Sequence, residues 1–135
     1  QIVFEDVVNL EILRELSVKT DEFFKDSETS SRTIDRMHLV IEELITNMLK
    51  YGTSGQPLTE IEVRITNTPD HLEVRLSDTG QAFDSAEAIT QSAGNSSNAQ
   101  IIGKRGLLLV GKLTENLTYL RTDGKNKISF KIVKH

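Results

Sequence analysis

The spacing of apolar residues changes abruptly near the middle of the chain, and this change constrains the fold more than any other feature. Before it, apolar residues recur every three or four positions, which predicts an amphipathic helix ending near Gly52. After it, they alternate with polar residues, which predicts two strands joined by a turn at residues 67–70. The residues that carry the two periods are Ile34, Met37, Ile41, Leu44, Ile45 and Met48 for the helix, and Ile61, Val63, Ile65, Leu72, Val74 and Leu76 for the strands.

Weaker patterns complete the order of elements as β-α-α-β-β-α-β-β. Ser30 or Ser31 is expected to cap the second helix, and Asp123-Gly124 to form the turn between the last two strands. This order predicts an α+β fold, a two-layer α/β sandwich with three main helices on one face of a largely antiparallel mixed sheet. The remaining expected elements are a strand at 2–4, helices at about 8–26 and 105–114, strands at about 118–121 and 127–132, and a polar loop at 26–32.

The composition fits one domain over residues 1–135. Hydrophobic residues make up 37% and charged residues 27%, enough apolar material for one core. The net charge of −4 disfavours a nucleic-acid-binding surface, and the absence of cysteine excludes disulfides and thiolate metal sites. No apolar run approaches the roughly 18 residues of a membrane span, so we expect a cytoplasmic protein that binds neither nucleic acid nor a membrane.

The second helix carries a column of polar residues beside its apolar stripe. At about 100° per residue, Glu43 and Asn47 are neighbours, and Lys50 and Tyr51 lie one turn beyond. Such a column offers a general base, a Mg²⁺ ligand and a phosphate contact. A solvated helix face with a polar pair four residues apart gives the same pattern and remains the alternative.

An acidic residue, Asp78, ends the second strand of the hairpin and is soon followed by Gly80. A carboxylate at this point can accept a hydrogen bond from an exocyclic amine such as that of adenine, and the glycine lets backbone approach the ring. A plain turn has the same composition, so that interpretation also stays open.

Two glycines, Gly103 and Gly106, open the third predicted helix and flank Lys104 and Arg105. The unpaired N–H groups and positive dipole end of a helix N-terminus suit a phosphate group. Glycines also serve helix entry and close packing, which is the structural alternative. The preceding stretch, Ser85 to Gly103, is rich in Ala, Ser, Asn and Gln and is expected to be a mobile loop.

Three segments taken in order resemble the N, G1 and G2 boxes of the gyrase/histidine-kinase-like (GHKL) ATPases. They are Glu43–Asn47, Asp78–Asp84 and Gly103–Val110. Within that superfamily the chain is most similar to the small bacterial anti-sigma-factor serine kinases, and the likeness extends to the ending Leu120–Asn126. The resemblance implies a sandwich of Bergerat type.

The resemblance also implies roles for individual residues in a site for ATP and Mg²⁺. Glu43 would be the general base, Asn47 would coordinate Mg²⁺, and Asp78 would bind the adenine amino group. The loop from about Ser85 to Ile102 would be the ATP lid. The implied nucleotide contacts are Asn47, Lys50, Asp78, Gly80, Phe83, Gly103, Lys104, Gly106 and Leu107.

The chain departs from the family pattern at Lys104, which follows Gly103 where the family usually has adjacent glycines. The lysine either adds a phosphate contact or crowds the backbone cradle. Two functions therefore remain open. One is a Mg²⁺-ATP-dependent protein serine kinase that phosphorylates a STAS-type anti-sigma-factor antagonist. The other is a nucleotide-binding partner-switching module, an anti-sigma factor without useful kinase activity. The resemblance leaves open a sigma factor as a second partner and a homodimer as the assembly.

Overall fold

The computed structural model describes residues 1–7, 11–48, 59–80 and 102–134, and for residues 7 and 102–107 it describes only the backbone. Within these ranges the chain forms three helices and five strands in the predicted order. None of the described helices combines the length and apolar character that a membrane crossing requires. The elements are β1 Ile2–Val7, α1 Glu11–Phe24, α2 Ser31–Asn47, β2 Glu60–Asn67, β3 His71–Asp78, α3 Ile102–Leu113, β4 Glu115–Thr122 and β5 Lys125–Val133.

The five strands form one open sheet in the order β1-β2-β3-β5-β4. Each neighbouring pair of described strands is antiparallel, so the sheet contains no parallel pair in this part of the chain and is not mixed. The α+β class and the helices on one face agree with the sequence prediction. On that face, alternate residues of the central strands are buried, whereas their neighbours, such as Arg75, stay at the surface.

The core lies between this face and the apolar stripes of the helices. Helix α2 supplies Met37, Val40, Ile41, Leu44 and Ile45, all at most 2% exposed, which is the stripe that the helical period indicated. Helix α1 contributes Ile12, Leu16 and Phe24. This helix ends at Phe24, two residues before the predicted end, because Ser27 N–H closes a turn on the Phe24 carbonyl.

The β2–β3 hairpin carries the chain to Asp78. Its turn is held by Thr68, whose N–H and hydroxyl both donate to the His71 carbonyl at 3.0 and 2.7 Å. The register pairs Ile61 with Asp78, so the last residue of β3 faces the core side of the sheet. The hairpin therefore delivers a carboxylate to the end of the core, where an apolar residue would continue the pattern.

The N-terminus of α2 is capped by Ser30, which settles the choice between Ser30 and Ser31. The Ser30 hydroxyl accepts a hydrogen bond from Thr33 N–H at 3.2 Å, and its backbone is extended, as an N-cap requires. We expect Ser30→Ala to lower the free energy of unfolding by about 1 kcal/mol, measured by urea denaturation, because Thr33 N–H loses its acceptor.

Ser31→Ala is the matched control, since Ser31 is an exposed residue within the first helical turn. Its effect should stay below about 0.5 kcal/mol. An equal loss in both variants would contradict the assignment of the cap to Ser30.

Candidate functional site

Asp78 is a buried carboxylate whose two oxygens differ in their surroundings. The residue is 4% exposed. Its Oδ1 accepts hydrogen bonds from Gly80 N–H at 2.9 Å and from Asn126 Nδ2 at 3.0 Å. Neither of these bonds involves Oδ2, so among the described residues the second oxygen remains as an acceptor for a donor from outside. The bond from Gly80 N–H is the one that a plain Asx-turn makes, whereas the burial of Asp78 and the bond from Asn126 go beyond such a turn.

Burial raises the pKa of the Asp78 carboxyl above its ordinary value, because the charged form loses hydration. The bond from Asn126, the Gly80 N–H and the positive charge of Arg121 act in the opposite direction but do not cancel the effect of burial. Groups of the protein itself thus offset part of the free energy that the ionised carboxylate loses on burial. A donor placed on Oδ2 would stabilise the charge further.

Three residues behind Asp78 received no role in the sequence analysis, namely Tyr119, Arg121 and Asn126. Tyr119 OH donates to Asn126 Oδ1 at 2.6 Å, and Arg121 Nη1 donates to the Gly80 carbonyl at 2.7 Å. The available signal was the Asp123-Gly124 turn, which pairs Arg121 with Asn126 across the last hairpin. That turn does not reveal that the hairpin lies beside Asp78.

Asn47 is buried, which removes the solvated helix face as an interpretation of this residue. It is 2% exposed, and its Nδ2 donates to the Glu43 carbonyl at 2.8 Å. Its Oδ1 has no hydrogen-bond partner in the part of the chain that the structure describes. A buried amide oxygen without a partner costs about 1–3 kcal/mol, so this oxygen is suited to a ligand. Glu43 is half-buried one turn earlier, whereas its neighbour Glu42 is exposed.

Asn47 and Asp78 lie at the same end of the sheet. Helix α2 begins beside the far end of β2, where Thr29 Oγ1 donates to Asn67 Oδ1 at 3.4 Å. Its 17 residues span about 25 Å, close to the roughly 27 Å of the eight residues of β2. From these similar lengths we infer that the last turn of α2, which holds Asn47, lies toward the start of β2, and its partner strand β3 ends at the same side of the sheet.

The third predicted segment lies inside a helix. α3 begins at Ile102, so Gly103 and Gly106 belong to its first turns, and the prediction that the helix begins near Arg105 is wrong. The mobile loop expected over residues 85–103 and the ATP lid expected over about residues 85–102 therefore end before Ile102. Residues 85–101 lie outside the described residues, and so do Lys50, Tyr51 and Phe83. For Lys104 and Leu107 the structure gives the helical backbone alone. The first N–H groups of this helix have no acceptor within the helix, as at any helix N-terminus.

A cavity of about 350 Å³ opens beside Asp78 at the ends of the strands. It is lined mainly by acidic residues, with Lys125 as the cation among them. This lining disfavours phosphate groups. An anionic group is therefore disfavoured on this side of Asp78. The acidic residues are Glu5, Asp6, Glu60, Glu62 and Asp78.

Thr59 contributes the second buried side-chain atom without a partner among the described residues, its Oγ1. The residue is 3% exposed and directly precedes β2. Continuing the register of β2 and β3 sets it opposite Gly80. Both buried polar atoms that lack a partner thus lie at the end of the fold that holds Asp78.

The burial of Asp78 makes a prediction about stability. Asp78→Asn is expected to raise the free energy of unfolding at neutral pH, because the amide oxygen keeps both acceptor bonds while the buried charge is removed. An acid whose pKa is raised on folding favours the folded state when protonated, so the parent loses relative stability as the pH rises from 3.8 through the raised pKa. Urea denaturation between about pH 3 and pH 8 should show the gain growing with pH and then levelling off.

Asp70→Asn, in the exposed turn between β2 and β3, is the matched control. It should change the free energy of unfolding by less than about 0.5 kcal/mol at each pH. A destabilised Asp78→Asn protein across the whole pH range would contradict the dominance of desolvation at this carboxylate.

Solved structures that share this fold include the following two. The SiaB–SiaC complex from Pseudomonas aeruginosa matches 98% of this chain and 88% of that chain, with a TM-score of 0.63 and 14% identity. The structure of the RsbU and RsbW domains of Rv1364c from Mycobacterium tuberculosis matches 100% of this chain, with a TM-score of 0.62 and 10% identity. This chain spans 33% of the latter.

Sequence comparison adds relatives and a family. The serine-protein kinases RsbW of Listeria monocytogenes (serotype 4a, strain HCC23) and Listeria innocua are each 29% identical over 108 residues, covering 77% of this chain and 69% of theirs. The family described as the histidine kinase-like ATPase domain matches residues 8–132. With this match spanning all three segments of the site, the chain belongs to the histidine kinase-like ATPase domain family.

Proposed function

We propose that this protein is a Mg²⁺-ATP-dependent protein serine kinase of the partner-switching type. The observation that carries the proposal is the burial, at one end of the sheet, of two polar side chains that each keep an oxygen for a ligand. These are Asp78 with Oδ2 and Asn47 with Oδ1. One is an anionic acceptor suited to an amine, and the other is a neutral oxygen suited to a hard cation.

Asp78 would recognise the adenine ring. Its Oδ2 would accept a hydrogen bond from the exocyclic amine, and the ionised oxygen makes that bond charge-assisted. The carbonyl oxygen that guanine carries at the same position would face the carboxylate without a proton between them. The geometry therefore supports adenine over guanine nucleotides.

Asn47 fits a magnesium ion that is shared with the nucleotide. Mg²⁺ prefers oxygen ligands and commonly takes one or two from the protein, the others being phosphate oxygens and water. The described residues hold no group of three or more His, Cys, Asp or Glu side chains that would bind a metal alone. When bound, the ion would supply positive charge that stabilises the transferring phosphoryl group.

Glu43 would act as the general base. It precedes Asn47 by one helical turn and is half-buried, so its carboxylate would lie near the reacting groups while it keeps contact with solvent. The substrate serine oxygen would bond to the γ-phosphorus as the bond from that phosphorus to the β–γ bridging oxygen breaks. The electron pair would leave on ADP, and the serine proton would pass to Glu43.

The remaining nucleotide contacts stay part of the proposal. The N-terminal turns of α3 would offer backbone N–H groups to the phosphates at Gly103 and Gly106, with Lys104 adding a cation. Leu107 would pack beside the nucleotide. Lys50 and Phe83 would complete the pocket, together with a lid formed by the residues before Ile102.

The protein substrate would be a STAS-type anti-sigma-factor antagonist. The names of the Listeria relatives describe serine-protein kinases, and the Pseudomonas neighbour was solved as a complex of SiaB with SiaC. Both support a protein partner for this chain. We further propose one catalytic domain over residues 1–135, acting in the cytoplasm as a homodimer, with a sigma factor as a second partner.

Lys104 favours a second candidate function, a nucleotide-binding anti-sigma module without useful kinase activity. This residue lies in the first turn of α3, where the family usually has a glycine, and a side chain that crowds the backbone cradle would allow nucleotide binding without efficient phosphoryl transfer. Incubation with ATP labelled at the γ-phosphate and a candidate STAS-type protein separates the two functions. Label on a serine of the partner supports the kinase, whereas nucleotide binding with unlabelled partner supports the module.

Adenine recognition by Asp78 predicts weaker nucleotide binding in Asp78→Asn. The variant loses a charge-assisted bond worth about 1.5–3 kcal/mol and presents an amide donor to the adenine amine, so affinity for ATP and ADP should fall about ten- to hundredfold. Isothermal titration calorimetry measures this loss, with Asp70→Asn as the control that should bind like the parent. No calorimetric binding of ATP or ADP to the folded parent would overturn the proposed function.

The two polar residues of α2 should have separable effects. Glu43→Gln keeps the size and hydrogen-bonding capacity of the side chain, so nucleotide should still bind while phosphoryl transfer falls by about 10²–10⁴. Asn47→Ala should instead weaken the Mg²⁺-dependent part of binding. Single-turnover transfer and calorimetry with and without Mg²⁺ distinguish the two.

The neighbouring exposed carboxylate provides the control for the base. Glu42→Gln removes a charge of the same kind one residue earlier and should transfer phosphate at the parent rate. Transfer at the parent rate by Glu43→Gln would refute the assignment of the base.

A further inference from the structure

We propose that the β4–β5 hairpin is a clamp that positions Asp78 for the nucleobase, with Tyr119, Arg121 and Asn126 as its positioning residues. This inference rests on the proposed function, because it concerns how the adenine-binding carboxylate is held. It assigns a role to three side chains that do not themselves need to touch the nucleotide.

The clamp makes two hydrogen bonds to the Asp78–Gly80 turn that follows β3. Arg121 and Asn126 are cross-strand partners in the last hairpin, so their side chains emerge on the same face of the sheet. Asn126 donates to the Asp78 carboxylate, whereas Arg121 donates to the Gly80 carbonyl. One pair of residues thereby fixes both the side chain and the backbone of the Asp78–Gly80 turn.

Tyr119 determines which way the Asn126 amide faces. Its hydroxyl donates to Oδ1, which leaves Nδ2 directed at Asp78. The reverse orientation would bring the amide oxygen against the carboxylate, two acceptors without a proton between them. The chain from Tyr119 through Asn126 to Asp78 therefore has a single favourable direction of donation.

The hairpin turn sets the register on which the clamp depends. Asp123 and Gly124 have φ of 55° and 72°, the left-handed pair that a two-residue hairpin turn requires. A slip of one residue would turn Arg121 and Asn126 to the opposite face of the sheet. The Asp-Gly turn is therefore needed for the contacts that Arg121 and Asn126 make with the Asp78–Gly80 turn.

The charged side chains near Asp78 in the described elements lie on both faces of the sheet. Asp6 and Arg121 stand in the cross-strand row of Asp78 itself, whereas Glu5 and Glu62 stand in the row of Ser77, on the opposite face. Glu60 and Lys125 line the adjoining cavity. Burial raises the pKa of Asp78, and the Asn126 amide, the Gly80 N–H and the charge of Arg121 act against this effect. The donors from Asn126 and Gly80 occupy Oδ1 and leave Oδ2 to the ligand.

Nucleotide affinity of three variants tests the clamp, measured by calorimetry with ADP at about pH 7.5. Asn126→Ala should weaken binding about tenfold, since a bond to a charged group is lost. Tyr119→Phe should weaken it about two- to tenfold, the range for a neutral hydrogen bond. Asn126→Asp keeps the shape but sets a second carboxylate against the first, so its loss should exceed that of Asn126→Ala.

The pH dependence of affinity separates positioning from mere packing. Adenine binding needs ionised Asp78, so affinity falls as the pH drops through its pKa. Removing the Asn126 donor takes away an interaction that lowers this pKa. The midpoint of the affinity loss should therefore move to higher pH in Asn126→Ala and further in Asn126→Asp. A role in packing alone would weaken binding without moving the midpoint, and that result would overturn the clamp.

Leu120→Ala is the matched control. Leu120 lies between Tyr119 and Arg121 in sequence, but it is 60% exposed and faces the other side of the sheet. It should keep the parent affinity and the parent midpoint. An equal effect of Leu120→Ala and Tyr119→Phe would also overturn the clamp, because it would point to general weakening of the edge strand.

The failures of the two proposals are distinguishable. A parent protein that does not bind ADP contradicts the proposed function, whereas a binding parent with unchanged Asn126 variants contradicts the clamp alone. Should Asn126 variants fail to fold, carbon-13 NMR titration of the Asp78 carboxyl in the parent and Tyr119→Phe decides the question without ligand. A higher Asp78 pKa in Tyr119→Phe supports the clamp, and an unchanged one overturns it.

Discussion

The burial of the Asp78 carboxylate is the constraint on which the rest of the site depends. A charge at the end of a hydrophobic core is costly unless donors surround it, and the structure supplies Gly80 N–H, the Asn126 amide and the nearby Arg121. Those donors come from the turn after β3 and from the last hairpin. The fold must therefore close the sheet with β5 beside β3 before Asp78 is compensated. The cost that remains is what a nucleobase amine would offset on binding.

Helix α2 joins stability and function in one element. Its apolar stripe forms much of the core, and this packing fixes the rotation of the helix about its axis. The same rotation turns Asn47 inward, with an oxygen that has no hydrogen-bond partner among the described residues, while Glu42 is exposed to solvent. The orientation of the proposed metal ligand is thus inherited from the core. Ser30 caps the other end of the helix, about 25 Å from Asn47. The cap fixes where the helix begins, and the helix length then determines where Asn47 lies.

The sequence was sufficient wherever one local pattern determines one element. Helical spacing identified α2, alternation identified β2 and β3, and Asp123-Gly124 identified the last turn, because each depends on neighbours within a few residues. It was insufficient where contacts join distant segments. Asn126 and Asp78 are 48 residues apart, and Arg121 and Gly80 are 41 apart. Periodicity carries no information about such pairs. The start of α3 was misjudged for a different reason, since Gly103 and Gly106 are poor helix formers and indicate a turn by propensity alone.

The site also explains why an asparagine, and not an apolar residue, stands at position 126. Its neighbours on the buried face of β5, Ile128 and Phe130, follow the apolar alternation that the core demands. Continuing that alternation would place an aliphatic side chain against Asp78 and remove a donor from a buried anion, a larger cost than the apolar burial gained. The alternation is interrupted at the position where β5 meets Asp78. The core and the site therefore meet along one cross-strand row of the sheet, formed by Ile61, Asp78 and Asn126. Ile61 packs in the core, Asp78 carries the charge, and Asn126 is polar because its position has to supply a donor to that charge.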